Sequence, residues 1–159
     1  MTIAVGDTLP SGTLQTFRDG PQAISTDELF KGKKVVLFAV PGAFTPTCSA
    51  RHLPGYVDEL GSFQDKGVDT VACLSVNDAF VMGAWGKSQN VPADLVLLAD
   101  GNAAYTKALG LELDATGFGM GVRSQRFALV AEDGKVTHLF VEQPGEFRVS
   151  SAESVLAAI

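Results

Sequence analysis

The most continuous apolar run in the chain is Val35–Val40, preceded by Lys33-Lys34 and stopped by Pro41-Gly42. A run of strand length without alternation predicts a strand buried on both faces, hence a central one. Before it, Thr13–Phe17 alternates well enough for an edge strand or hairpin arm among turn-rich pieces. Ser25 with Glu28 forms a capping-box pattern for a short helix ending near Gly32. After the central run, Leu53, Val57, Leu60 and Phe63 recur at helical spacing and predict a helix from Pro46 to about Lys66, kinked at Pro54-Gly55. Val68–Val76 is a second strand. Asn77-Asp78 caps a helix to about Ser88 with Phe80, Val81, Ala84 and Trp85 as its apolar set. Leu95–Ala99 is a short buried strand, and Asp100-Gly101-Asn102 caps a helix, Ala103–Leu109, that Gly110 closes. Beyond the glycines of 117–121, Arg123–Ala131 and Lys135–Glu142 read as strands joined at Asp133-Gly134 in a tight hairpin. Ser150 with Glu153 then predicts a capped C-terminal helix, Ser151–Ala158.

The order is therefore β-α-β-α-β-α, a hairpin, and a last helix. Such alternation predicts an α/β protein with a central, mixed, mainly parallel sheet flanked by helices. A β-α-β start followed by β-β-α is the pattern of a thioredoxin-like fold, here with insertions. No repeat or linker divides the chain, so a single domain, residues 1–159, is expected.

Composition narrows the function classes. At 159 residues and 46% hydrophobic content the chain can bury a real core. A net charge of −6 argues against a nucleic-acid or anionic-membrane partner, either of which would want a basic patch. No apolar run approaches a membrane span, and the first residues carry no secretory pattern. With only two cysteines this is no disulfide scaffold, and a reducing, cytoplasmic setting is expected.

The chemistry gathers where the central strand ends. Thr45 suits an N-cap and Pro46 the first helical position, which puts Cys48 in the first turn of the helix. Outward-pointing N–H groups and the positive end of the dipole favour the thiolate there, the nucleophilic form of cysteine. Thioredoxin-like dithiol proteins place C-x-x-C at this turn, whereas this chain has Thr45-Pro46-Thr47-Cys48. A hydroxyl cannot form a disulfide but can hydrogen-bond an oxygen beside the sulfur, which favours a thiolate attacking an oxygen-bearing substrate. A fixed cation is then needed for the leaving oxyanion. Arg51 lies three residues beyond Cys48, on the same helix face, and Arg123 opens the first hairpin strand.

The stretch Pro41-Gly42-Ala43-Phe44-Thr45-Pro46-Thr47-Cys48-Ser49 resembles the peroxidatic motif of peroxiredoxins. Ser75-Val76-Asn77-Asp78, Ala84-Trp85-Gly86, Gly121-Val122-Arg123-Ser124 and Gly145-Glu146-Phe147 are similar to the type II, or Prx5-like, branch. The resemblance implies that Cys48 is the peroxidatic cysteine, that Thr45 and Arg123 bind peroxide and activate the thiolate, and that Pro41 shields the site. Backbone N–H groups at Thr47 and Cys48 would help to stabilise the departing oxygen. The implied reaction reduces hydrogen peroxide or organic hydroperoxides through a sulfenic acid on Cys48, with no metal or organic cofactor. No C-terminal cysteine follows, so regeneration is expected from an external thiol, glutaredoxin with glutathione or thioredoxin. Cys73, mid-strand, reads either as a small buried hydrophobe or as a resolving or auxiliary thiol.

Rival readings are weaker. His52, four residues after Cys48, suggests a hydrolase pair, but no acyl-transfer motif accompanies it, and a place at the pocket rim is expected. Cys48, His52, Cys73 and His138 lack the short paired spacings of zinc sites. Gly117, Gly119 and Gly121 precede a strand rather than a helix, so they make no phosphate loop and are expected to pass close by the Cys48 turn. Phe44, Phe80 and Trp85 are candidates for a homodimer face. A redox-sensing or chaperone-like binding module of the same fold is the non-enzymatic alternative.

Overall fold

The computed structural model describes residues 2–159. Its main sheet has seven strands: β1 (Thr13–Phe17), β2 (Pro21–Ser25), β3 (Lys34–Val40), β4 (Thr70–Ser75), β5 (Leu95–Ala99), β8 (Phe127–Glu132) and β9 (Lys135–Val141), in the order β2-β1-β5-β4-β3-β8-β9. The pairs β3–β4 and β4–β5 are parallel; the others are antiparallel. The sheet is thus mixed, with its parallel strands at the centre. A separate two-stranded ribbon joins β6 (Glu112–Asp114) to β7 (Val122–Ser124).

The unbroken apolar run of β3 has its expected cause. Val36, Phe38 and Val40 enter one core, while Val35, Leu37 and Ala39 enter the other. Helices α2 (Leu53–Asp58), α3 (Leu60–Asp65), α4 (Ala79–Ser88) and α6 (Ala152–Ala158) cover the first face. Helices α1 (Thr26–Phe30) and α5 (Ala104–Leu109) cover the second. No helix among the described residues is long and apolar enough to cross a membrane.

Four expectations need correction. The helix after Cys48 is irregular one turn before Pro54-Gly55 and does not run unbroken to Lys66. Pro54 lacks the N–H that a regular turn would give to Ala50, and the strain is taken up earlier by a π-helical turn, Cys48–His52, closed by Leu53 N–H on Cys48 C=O. The break falls instead at Glu59, between α2 and α3. The long strand 123–131 is two pieces, β7 and β8, which belong to different sheets with Gln125-Arg126 between them. In α4 the buried residues are Ala79, Met82 and Trp85, whereas Phe80 is 66% exposed. Finally, Ser151 rather than Ser150 caps α6, accepting from Ser154 N–H, because the Ser150 hydroxyl is engaged elsewhere.

Candidate active site

β3 delivers the chain into a tight turn, Pro41–Thr45. Asn77 Oδ1 accepts from Ala43 N–H at 3.0 Å and fastens this turn to the end of β4. Gly42 is required by crowding: a Cβ there would stand 3.2 Å from Arg123 Nη1 and from Thr45 Cγ2, and 3.5 Å from Met120 Cε. The glycine-flanked 117–121 loop therefore does approach the turn. Pro46 opens the helix, and Thr45 C=O accepts from Ser49 N–H at 3.0 Å. The Thr45 hydroxyl donates backwards to Gly42 C=O at 2.7 Å.

Cys48 is fully buried in the first turn. The guanidinium at its sulfur belongs to Arg126, whose Nη2 donates to Cys48 Sγ at 3.1 Å. Neither expected arginine is there. Arg123 instead braces the turn, donating from Nε to Met120 C=O at 3.0 Å and from Nη1 to Val76 C=O at 3.3 Å. Arg51 is turned outward and lies over the Phe147 ring, 4.9 Å from its centre. The π turn accounts for this difference. It carries His52 rather than Arg51 beneath Cys48, both being fully buried.

His52 is thus not at a rim but under the site. Its Nδ1 accepts from Arg126 Nη1 at 2.8 Å, and its Nε2–H donates to Ser150 C=O at 3.1 Å, the tautomer these two partners require. Burial, reinforced by the Arg126 charge, lowers its pKa to about 3, against smaller opposing effects of Ser150 C=O and Glu142. It is therefore a neutral imidazole that aims a cation. Ser150 C=O also accepts from Tyr56 Oη at 2.7 Å.

Glu142 holds that carbonyl in place. Its Oε2 accepts from the N–H groups of Arg148, Val149 and Ser150, and from Ser150 Oγ at 2.7 Å. Burial alone would raise this carboxyl, but the hydrogen bonds from Ser150, then Arg148 and Val149, outweigh it and hold the group below its ordinary value. The Glu142–Ser150–His52–Arg126 sequence ends on the Cys48 sulfur.

A pocket of about 550 Å³ leads to the site, lined by Pro41, Thr47, Arg51, Gln125, Arg126 and Phe147 among others. Cys73 lies in β4 between Phe38 of β3 and Leu97 of β5, fully buried; burial and then the nearby Cys48 push its thiol up. Trp85 is also fully buried, its Nε1 donating to Ser49 Oγ at 2.9 Å, so it presents no dimer face.

Sequence reasoning missed Arg126, His52 in its present role, Glu142 and Ser150. The signal for Arg126 lies in the strand pairing, not in the local sequence pattern. β8 runs antiparallel to β3 with Ala39 opposite Phe127, so the residue just before β8 must arrive where β3 hands over to the Cys48 turn.

A buried thiol at a strand-to-helix turn, facing an arginine and lacking a partner cysteine at that turn, is the arrangement of a thiol-bearing protein of thioredoxin-like fold. The Redoxin family model matches residues 4–156. The chain is 52% identical to Peroxiredoxin-2B of Arabidopsis thaliana, covering 99% of this chain and 98% of that protein. It is 54% identical to the chloroplastic Peroxiredoxin-2E-2 of Oryza sativa subsp. japonica, covering 99% and 73%. The structure of reduced Prx3 from Vibrio vulnificus in complex with hydrogen peroxide matches with a TM-score of 0.94 and 56% identity over 99% of both chains. The chain belongs to the peroxiredoxins, in their type II branch, and is a thiol peroxidase.

Proposed function

We propose that Cys48 is the peroxidatic residue, and that Arg126, rather than Arg123, is the cation of the reaction. The single observation that carries this reading is the 3.1 Å contact from Arg126 Nη2 to Cys48 Sγ. The Cys48 thiolate attacks one peroxide oxygen. The O–O bond breaks, the S–O bond of a sulfenic acid forms, and the departing oxygen leaves as water or an alcohol once protonated. Arg126 sits where charge is needed first on sulfur and then on the departing oxygen. The Thr45 hydroxyl donates its hydrogen bond to Gly42 C=O, which leaves its oxygen lone pairs to accept from the O–H of the entering hydroperoxide. Thr47 and Cys48 contribute first-turn N–H groups, and Pro41 walls the pocket against bulk water. Arg123 acts by holding the turn.

Hydrogen peroxide and organic hydroperoxides both suit a pocket of this size. The burial of Cys73 supports an external reductant, glutaredoxin with glutathione or thioredoxin, because a Cys48–Cys73 bridge would require β4 and the first helical turn to open. Cys73→Ser should accordingly keep most peroxide turnover with glutaredoxin and glutathione; near-complete loss would contradict the external-thiol reading. Both cysteines are free, in keeping with a reducing, cytoplasmic location. Phe44 and Phe80, 54% and 66% exposed, support a homodimer, which sedimentation velocity would test as a mass of twice 16.7 kDa.

A further inference from the structure

Three of the chain's five arginines line the pocket that leads to Cys48: Arg51, Arg126 and Arg148. Two of them already have partners. Arg126 is bonded to His52 and Cys48, and Arg148 Nε lies 3.8 Å from Glu146 Oε2. The two carboxylates of the pocket are also engaged, Glu142 by its four donors and Glu146 by Arg148. Arg51 differs. Among the described residues it has no ion pair, and no side-chain hydrogen bond to a protein acceptor is present. Its guanidinium nevertheless sits over the Phe147 ring, 4.9 Å from the ring centre. Arg126 approaches the same ring, 5.7 Å from its centre. The two guanidiniums therefore share one aromatic wall, Arg126 bonded to the sulfur and Arg51 farther out. Arg51, Phe147 and Arg148 also line an adjoining cavity of about 520 Å³, where Asp58, Glu59 and Glu153 are the acidic groups.

A guanidinium seated over an aromatic ring with its planar fork free is pre-organised for a carboxylate, which it grips with two parallel N–H bonds. In a chain of net charge −6, such a fixed cation is what would admit an anionic small molecule. We propose that Arg51, seated on Phe147, is a carboxylate-recognition subsite for the molecule that reacts at Cys48. The ligand class is a small molecule with a carboxylate several bonds from its reacting atom. It is either the hydroperoxide that oxidises Cys48 or the thiol that reduces it. In the second case the thiol sulfur attacks the sulfenic sulfur, the S–S bond forms, the S–O bond breaks, and the oxygen leaves with the thiol proton as water. The subsite rests on the sulfenic-acid cycle proposed above.

Stopped-flow kinetics on the two half-reactions tests it, with wild type and Arg51→Gln compared at low and high salt. The oxidation arm uses a hydroperoxy fatty acid against its methyl ester, with tert-butyl hydroperoxide as the neutral reference. The reduction arm uses glutathione against its diethyl ester on Cys48 oxidised beforehand. The readout is the ratio of acid to ester rate constants, which a general structural disturbance would leave alone. Arg51→Gln should lower that ratio about two- to fivefold in one arm, with the effect shrinking at high salt. The arm that responds identifies the carboxylate's source. Arg51→Lys should restore only part of the ratio, since an ammonium lacks the fork. An unchanged ratio in both arms would overturn the subsite while leaving the peroxidase cycle intact. Failure of wild type to oxidise Cys48 with tert-butyl hydroperoxide would overturn both.

Discussion

Arg123 and Arg126 lie three positions apart in the chain and differ in what they hold: Arg126 donates to a sulfur, Arg123 to two backbone carbonyls. Substitution should separate them. Arg126→Gln is expected to lower the rate of Cys48 oxidation by hydrogen peroxide about 10²–10³-fold, the usual cost of removing a pre-organised donor from a developing charge. Arg123→Gln should cost less than about tenfold, because it loosens a turn rather than removing a charge from the reacting atoms. Single-turnover oxidation, followed through Trp85 bonded to Ser49 beside Cys48, reads both. His52 makes a second residue-scale prediction. Its folded pKa of about 3 lies below the 6.5 of an unfolded histidine, so between these values the unfolded chain binds the extra proton. Stability should therefore be complete above pH 6.5 and fall as the pH drops through this window, by up to about 1.4 kcal/mol per pH unit from this group. Glu142, held low in the fold, adds a loss of the same sign near the acid end. Urea midpoints measured between pH 4 and 8 check the slope. The placement of Thr45, Thr47 and Cys48 at a helix start was legible in the sequence because the local Thr-Pro pattern fixes it. Arg126, His52 and Glu142 were not, because strand pairing and a π turn decide which of several nearby polar residues turns inward.

Two connections, more than any regular element, set the geometry of the site. The turn Pro41–Thr45 is fixed by Asn77 from one side and packed by Arg123 and Met120 from the other. Gly42→Ala would press a methyl group against neighbours 3.2 Å away, so the turn or Arg123 must yield by a few tenths of an ångström. A loss of peroxidase rate on the order of tenfold, with little change in melting temperature, is expected from comparing kinetics with thermal unfolding. The second connection, residues 142–150, is tied by one carboxylate oxygen of Glu142. Glu142→Gln replaces a charged acceptor with a neutral one and leaves these donors poorly satisfied. A cost of roughly 1–3 kcal/mol should appear as a melting temperature lower by roughly 3–10 °C. The central strand, the Asp133-Gly134 hairpin and the helix caps at Ser25 and Asp78 were readable, since each rests on local chemistry. The apolar face of α4 was not: Phe80 packs edge-on against Phe17 at the surface, while Met82 turns in.

At the scale of the molecule, the site is assembled from distant parts of the chain. Cys48 comes from the first half of the chain, Arg126 from the position just before β8, and Ser150 from the approach to α6. The sheet order brings them together by placing β3 between β4 and β8. That order also seals Cys73 between two neighbouring strands. The alternation of elements predicted the layered sheet, but not which strand flanks which, and that pairing selects the arginine at the thiol.

The claim on which the rest depends is that the Cys48 sulfur breaks the peroxide bond. It is tested most directly by hydrogen peroxide turnover with glutaredoxin and glutathione, and separately with thioredoxin, for wild type and Cys48→Ser. Sustained turnover by the wild type over many cycles, and none above background in Cys48→Ser, is the predicted result. A Cys48→Ser protein that still consumes peroxide at the wild-type rate would contradict the account.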